Sequence, residues 1–209
     1  MLDLPFSQRI LALALLLAMV SGIELSLRGK GAVRWRYSLF VLATGFLGAA
    51  YGGVHDALTV QISPEYFSVL ERLGSKDLEA RAISLGAQAG FSFGAIAAVL
   101  LAYLSERRRP AGGEPELVSL VACWRRIALF AFVFSAIGGV GAYAALSDGW
   151  TSRSLPTFNA RTGRRLLTVW VVHWCTYVGG GAGLYYCVRD RTWLPWQPST
   201  YREGVEPPM

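Results

Sequence analysis

Charged residues are scarce in this sequence, and they are distributed unevenly. Asp, Glu, Lys and Arg make up 16% of the 209 residues, whereas soluble domains carry about a quarter. Long apolar runs contain almost none of these charges, which collect between the runs instead. A chain with this pattern has lipid as its solvent, so we predict an all-α, polytopic membrane helix bundle with no separate soluble domain.

Motifs that would identify an enzyme are also missing. The sequence contains no H-E-x-x-H, G-x-S-x-G, C-x-x-C-H or P-loop pattern, which argues against an enzyme. Its three cysteines form no C-x-x-C pair, which argues against a disulfide framework or a zinc site. The net charge of +6 comes largely from Arg residues beside apolar runs, and this placement indicates anionic lipid headgroups rather than nucleic acid.

Five apolar runs are long enough, or nearly so, to cross the lipid bilayer as helices. The runs are Ile10–Leu27, Trp35–Val54, Ala82–Leu104, Ile127–Leu146 and Leu166–Val188. Residues 1–192 then form one transmembrane domain, and residues 193–209 form a polar, Pro-rich tail. The first run follows Arg9 as a signal peptide would, but no small-x-small cleavage site follows it, so we expect an uncleaved helix. Glu24 and Arg28 are spaced for an i,i+4 ion pair at its end.

The placement of Lys and Arg predicts the orientation of the bundle. Positive residues gather between runs one and two, between runs three and four, and after run five, which is one side of the membrane if all runs span. Acidic residues outnumber basic ones in the opposite 55–81 connection. We therefore expect the C-terminus in the cytoplasm and the N-terminus outside. Four Arg residues in the 147–165 loop conflict with this rule in part.

The segment Ile62-Ser63-Pro64-Glu65-Tyr66-Phe67 predicts a short helix that lies in the outer interface. Ser63 can cap this helix, and Pro64 suits its first turn. We expect Gly74 to end it in the left-handed conformation and Ser75 to cap the next helix.

The same segment carries a family resemblance. His55-Asp56 followed by Ile62 to Phe67 resembles a segment of uncharacterised bacterial multi-pass membrane proteins. The resemblance is confined to this short stretch and implies a bacterial inner (cytoplasmic) membrane protein. It implies no activity, because none is attached to that group.

Small residues recur at every fourth position of the third run, which predicts close packing of this helix against another. They are Ala82, Gly86, Gly90, Gly94, Ala98 and Ala102. Similar pairs occur in the second and fifth runs, namely Gly48 with Gly52 and Gly179 with Gly183. We expect these ridges to hold one monomer together; the alternative is a homo-oligomer or a membrane protein partner docked on a ridge.

The sequence has two histidines, and both lie in or at apolar runs. His55 and His173 each have a tyrosine one turn away on the same helix face, Tyr51 and Tyr177 respectively. Three neighbouring residues complete the candidate site near the outer leaflet: Asp56, Glu65 and Tyr66. Ionisable groups at membrane depth are costly, which makes them candidates for function.

Several interpretations of this candidate site stay open. The two histidines suit haem b or, with a carboxylate, a divalent metal. The group also suits a quinone headgroup, a proton or solute pathway, or a purely structural role. Strong packing signals without a catalytic signature favour a non-catalytic subunit or binding partner in a membrane complex. The alternatives are a haem-, metal- or quinone-binding redox subunit and a small transporter or channel component.

Overall fold

The computed structural model describes residues 5–29, 32, 34–74, 76–108 and 117–189, and these residues form helices without a strand. Within these described ranges there are six α-helices: α1 Phe6–Arg28, α2 Arg34–Ile62, α3 Leu78–Arg108, α4 Leu117–Ala145, α5 Asp148–Ser154 and α6 Ala160–Arg189. A π-helix, Tyr66–Leu70, lies between α2 and α3 and is called the short helix below. The predicted tail at 193–209 and the predicted cap Ser75 lie outside the described residues.

Four of these helices are long and apolar enough to cross a membrane: Phe6–Arg28, Arg34–Ile62, Leu78–Arg107 and Leu120–Ala145. They contain the first three predicted runs and all but the last residue of the fourth, and they confirm the all-α bundle of an integral membrane protein. The fifth predicted run lies within α6, which has 30 residues. Its glycines, aromatic residues and His173 lower its hydropathy, so α6 is not in this set of four. A fifth crossing therefore stays a prediction.

Helices α2 and α3 form an antiparallel pair in which backbone touches backbone. A Cβ added to Gly52 would collide with the carbonyl oxygen of Gly86, and one added to Gly90 would collide with that of Gly48. Gly94 is equally close to the backbone of α2. The alanines that extend the ridge at both ends are buried as well. The regular ridge of α3 therefore packs against α2 of the same chain.

Helices α4 and α6 form the second antiparallel pair. A Cβ on Gly183 would lie 2.8 Å from Ile127 Cα, and one on Gly139 would lie 2.8 Å from Val172 Cγ2. Gly179 packs against α4 between these two points. Ile127 of α4 and Gly183 of α6 therefore lie at the same height along the helix axes, and so do Gly139 and Val172.

Helix α1 is joined to α2 through a buried carboxylate. Glu24 is 3% exposed, and the predicted ion pair with Arg28 forms at 3.4 Å. Glu24 Oε2 also accepts a hydrogen bond from the backbone N–H of Arg34 at 2.6 Å. Glu24 therefore caps the first turn of α2, where backbone donors have no partner within the helix. The Ser21 and Ser38 hydroxyls, 2.9 Å apart, make a second polar contact between the two helices.

Helical backbone begins at Pro64, as predicted, and continues into the short helix, which ends at Leu70, earlier than predicted. Ser63 Oγ accepts a hydrogen bond from the Tyr66 N–H at 3.3 Å, which confirms the cap. The prediction for Gly74 is wrong, because Arg72 takes the left-handed conformation, with φ 54°. The Leu73 N–H reaches back to the Phe67 carbonyl at 2.9 Å and closes the helix around Arg72.

A helix that the sequence did not predict, α5, lies in the 147–165 loop. Its first turn is capped by Ser147, whose hydroxyl accepts from the Trp150 N–H at 3.3 Å. Downstream, Arg164 Nε donates to the Tyr143 carbonyl at 2.9 Å, at the C-terminal end of α4. Cations stabilise the negative C-terminal end of a helix. Arg164 therefore stabilises the end of α4, a role that the rule relating Lys and Arg placement to membrane orientation does not take into account.

Two apolar clusters fill opposite ends of the bundle. One joins α2, α3, α4 and α6 around Phe40, Leu101, Leu120 and Cys187. The other surrounds the short helix and includes Phe67, Leu166 and Val169. The described parts of the three predicted positive regions lie at the end of the first cluster, because α1, α3 and α6 end there and α2 and α4 begin there.

Candidate functional site

Two helix pairs meet at a buried carboxylate between the apolar clusters. Asp56 lies two turns before the end of α2 and is 4% exposed. Its Oδ1 atom is 3.0 Å from Nδ1 of His55, the preceding residue, and 3.0 Å from Nε2 of His173 on α6. The structure therefore brings together both histidines of the sequence, although they are far apart along the chain.

The outer nitrogen of each imidazole is held by a protein oxygen. His173 Nδ1 lies 2.8 Å from the Val169 carbonyl, and since a carbonyl only accepts, Nδ1 carries a proton. His55 Nε2 lies 3.1 Å from the Thr176 hydroxyl. Thr176 uses its single proton to donate to the Val172 carbonyl at 2.9 Å. His55 Nε2 must therefore be the donor in its contact with Thr176.

These outer hydrogen bonds determine what can lie between the inner atoms. A neutral His55 and a neutral His173 both turn a lone pair toward Asp56 Oδ1, which is itself an acceptor. Each contact therefore needs a bound proton or a metal cation between the imidazole nitrogen and the carboxylate oxygen. Two extra protons satisfy both contacts and leave the cluster with a single net positive charge. One divalent cation leaves the same charge, so two protons and one divalent ion are alternative occupants.

Aromatic rings surround this cluster of His55, Asp56 and His173, which we call the triad. The Tyr66 ring stacks on His173 with centroids 4.7 Å apart, and the Tyr51 ring stacks on His55 at 6.1 Å. The Tyr66 hydroxyl donates to Glu71 Oε1 at 2.9 Å. Burial, together with Glu71, raises the pKa of the Tyr66 phenol well above its usual value. Tyr66 therefore remains a neutral hydrogen-bond donor.

The glycine contact between α2 and α3 also makes room for the triad. A Cβ added to Gly86 would lie 2.6 Å from Asp56 Cγ and 2.7 Å from its Oδ2. The Asp56 carboxylate fits between the helices only because position 86 has no side chain. Gly86 therefore contributes to helix packing and to the site.

Most, but not all, of the predicted site residues converge. Tyr51 and Tyr177 line the same cavity as the triad and Tyr66. Glu65 does not line this cavity. Its carboxylate instead accepts a hydrogen bond from Ser63 at 3.1 Å.

Sequence reasoning missed two residues of this site, Glu71 and Thr176. Thr176 follows His173 by one turn of α6, so helical spacing offered a usable signal for it. Glu71 follows Tyr66 by five residues, a spacing that only the wider turn of a π-helix brings onto one face.

A cavity of about 180 Å³ adjoins the triad and lies between α2, α3, α4 and α6. At the end near the short helix its lining is polar and includes Tyr66, Glu71 and Tyr177. Farther along, the lining is apolar and includes Phe93 and Trp124. The site therefore combines a polar centre with apolar space beside it.

The triad has the composition of a metal site. One ligand atom from each of its residues lies within 4.8 Å of the others. Two imidazoles and one carboxylate suit first-row transition metals. The absence of paired cysteines was the sequence argument against zinc, but the atoms that converge here are nitrogen and oxygen.

A haem held by both histidines does not fit this geometry. Axial ligands approach haem iron from opposite faces of the porphyrin, so the macrocycle must lie between them. Here the two imidazole centroids are only 4.8 Å apart, and Asp56 Oδ1 contacts both rings. No porphyrin plane can pass between them.

Compared with known proteins, the chain matches no family model, no curated protein and no solved structure.

Proposed function

We propose that this integral membrane protein binds a divalent transition-metal ion through His55 Nδ1, Asp56 and His173 Nε2. One observation carries the proposal: both imidazoles donate their outer N–H to a protein oxygen while their inner nitrogens converge on the same carboxylate. Histidines that ligate metals are oriented in this way, by a hydrogen bond from the second ring nitrogen. A divalent ion also supplies the positive charge that the two inner contacts require.

The chain would supply a rigid, largely dry setting for this ion. Three protein ligands leave coordination positions open, so a bound metal would supply Lewis-acid or one-electron redox chemistry at the cavity. Val169 and Thr176 hold the imidazoles in orientation, and the Tyr66 ring restricts His173. The apolar cluster around Phe67 limits the access of water from the side of the short helix.

This site favours a function as a metal-binding redox subunit. The packing signals in the sequence, taken alone, favoured a non-catalytic subunit. The role of a transporter or channel component stays a prediction. A second copy of the chain, or a partner subunit, would dock on a surface other than the α3 ridge, because α2 covers that ridge.

The same proposal includes a membrane arrangement. In this arrangement α6 crosses a bacterial inner membrane as the fifth transmembrane helix, and the Arg-rich end of the bundle faces the cytoplasm. The collection of the three positive regions at one end supports this orientation. The triad then lies toward the outer leaflet.

Elemental analysis of the purified full-length protein tests the metal site. We expect about one transition-metal ion per chain in the wild type, as a site with a single set of ligands requires. Asp56→Asn and His173→Gln should reduce the content at least about tenfold, since each removes a ligand. Glu65→Gln is the matched control, because it also neutralises a nearby carboxylate but leaves the triad intact. Circular dichroism and gel filtration establish that each variant is folded.

Two results would overturn the proposal. One is wild-type protein that stays free of metal after equilibration with Fe²⁺, Mn²⁺ and Zn²⁺. The other is a folded Asp56→Asn/His173→Gln double variant that retains the metal. In the first case two protons would take the place of the ion, and nitrogen NMR would detect imidazolium at both His55 and His173.

A further inference from the structure

The cavity beside the triad extends well beyond the space that a metal ion needs. Ile127 and Trp124 of α4 line it, together with Phe93 of α3. Ile127 is level with Gly183, ten residues after His173 on α6. At a rise of about 1.5 Å per residue, the lining reaches ~15 Å from the level of the triad. The cavity is therefore long and narrow, with its polar groups at one end.

The polar end presents acceptors to a bound molecule. Both histidines contact Asp56 Oδ1, whereas Oδ2 lies beside Gly86 and makes no hydrogen bond within the described part of the chain. Glu71 lines the same end, and its carboxylate is neutralised by no cation among the described residues. A ligand headgroup that matches these acceptors must donate hydrogen bonds.

The size and walls of the cavity favour an aromatic headgroup. A cavity of about 150 Å³ accommodates a benzene ring, and this one measures about 180 Å³. Tyr51, Tyr66 and Tyr177 stand around the polar end, and aromatic side chains pack favourably against another ring. A phospholipid headgroup with two acyl chains is far too large.

We infer that the cavity binds a lipid-soluble hydroquinone. A ring hydroxyl donates to Asp56 Oδ2 or Glu71, the ring lies among the tyrosines, and the apolar tail runs along Phe93 and Trp124. This inference goes beyond the metal site, because it depends on the shape and lining of the cavity and not on the ion. It gives the protein a membrane-borne reaction partner that reaches the site from within the bilayer.

Calorimetric titration of the full-length protein in lipid nanodiscs tests the inference. The probe is decyl-hydroquinone, titrated without oxygen, with empty nanodiscs as the blank. We expect saturable binding to the wild type. Ala128→Leu, which fills the apolar part of the cavity, should weaken binding about tenfold or more. Ala136→Leu is the matched control, since Ala136 lies two turns along α4 and is exposed; it should bind like the wild type.

Each other outcome has a definite meaning. No saturable binding, or equal affinity of Ala128→Leu and Ala136→Leu, overturns the hydroquinone site. Oleate that binds as tightly as the probe and is equally sensitive to Ala128→Leu overturns the ligand class. Metal content is measured in the same samples and should be unchanged in both variants. Protein without metal that still binds hydroquinone in an Ala128-dependent manner would overturn the metal site alone.

Discussion

Thr176 and Thr168 have the same backbone environment on α6, but only Thr176 contacts a histidine. Each hydroxyl donates to the carbonyl four residues earlier, at 2.9 Å in both cases. Thr176 additionally accepts a hydrogen bond from His55 Nε2 at 3.1 Å. Comparing substitutions of these two threonines therefore distinguishes the effect of orienting His55 from the general effect of a threonine hydroxyl in α6.

Replacing Thr176 by Val should weaken metal binding about tenfold to a hundredfold, because an imidazole without its outer partner loses its fixed orientation. Thr168→Val should leave the affinity unchanged. Competition with a chromogenic chelator measures both. Equal affinities for the two variants would show that Thr176 does not position His55.

The sequence was informative about which residues form the site and less so about how they meet. His55, Asp56, Tyr66 and His173 were all recognisable as polar groups in or beside apolar runs. Their contact was not predictable, because it depends on the rotation of α2 and α6 about their axes, which spacing within one helix does not specify. Glu71 was hidden for a different reason, since a π-helix departs from the 3.6-residue period.

At the scale of helices, glycine spacing predicted the tightest contact in the bundle. Gly86, Gly90 and Gly94 of α3 were identified as one ridge, and all three meet the backbone of α2. The sequence analysis expected such ridges to hold one monomer together, and α2 of the same chain does cover this ridge. The pattern alone could not exclude a second chain, because both arrangements satisfy the same spacing of small residues.

Gly94→Ala tests this contact without entering the cavity, which Gly94 does not line. Its Cβ would collide with the Thr44 carbonyl, and overpacking of this kind costs about 1–3 kcal/mol. Gly141→Ala is the control, since a Cβ at position 141 meets nothing within 4 Å. In a helix this exchange should be neutral or stabilise by about 0.5–1 kcal/mol. Denaturant titration in detergent compares the two, and equal stability would contradict the packing account.

At the scale of the whole molecule, the triad makes a polar contact between two helix pairs that the apolar cluster around Leu101 and Leu120 also joins. The α2–α3 pair and the α4–α6 pair each have their own glycine contacts. Asp56 reaches across from the first pair to His173 of the second. The apolar runs predicted the helices themselves, because period and hydropathy are local properties. The pairing, the short helix turned toward His173, and α5 depend on contacts that are distant in sequence.

X-ray absorption at the edge of the bound metal tests the central claim most directly, because it reports the atoms around the ion in the full-length protein. The account predicts nitrogen and oxygen ligands at about 2.0–2.2 Å, with the scattering pattern of two imidazole rings. Loss of one ring in His173→Gln should accompany any residual metal. Sulfur at about 2.3 Å, or a ligand shell without two imidazoles, would place the ion elsewhere and contradict the account.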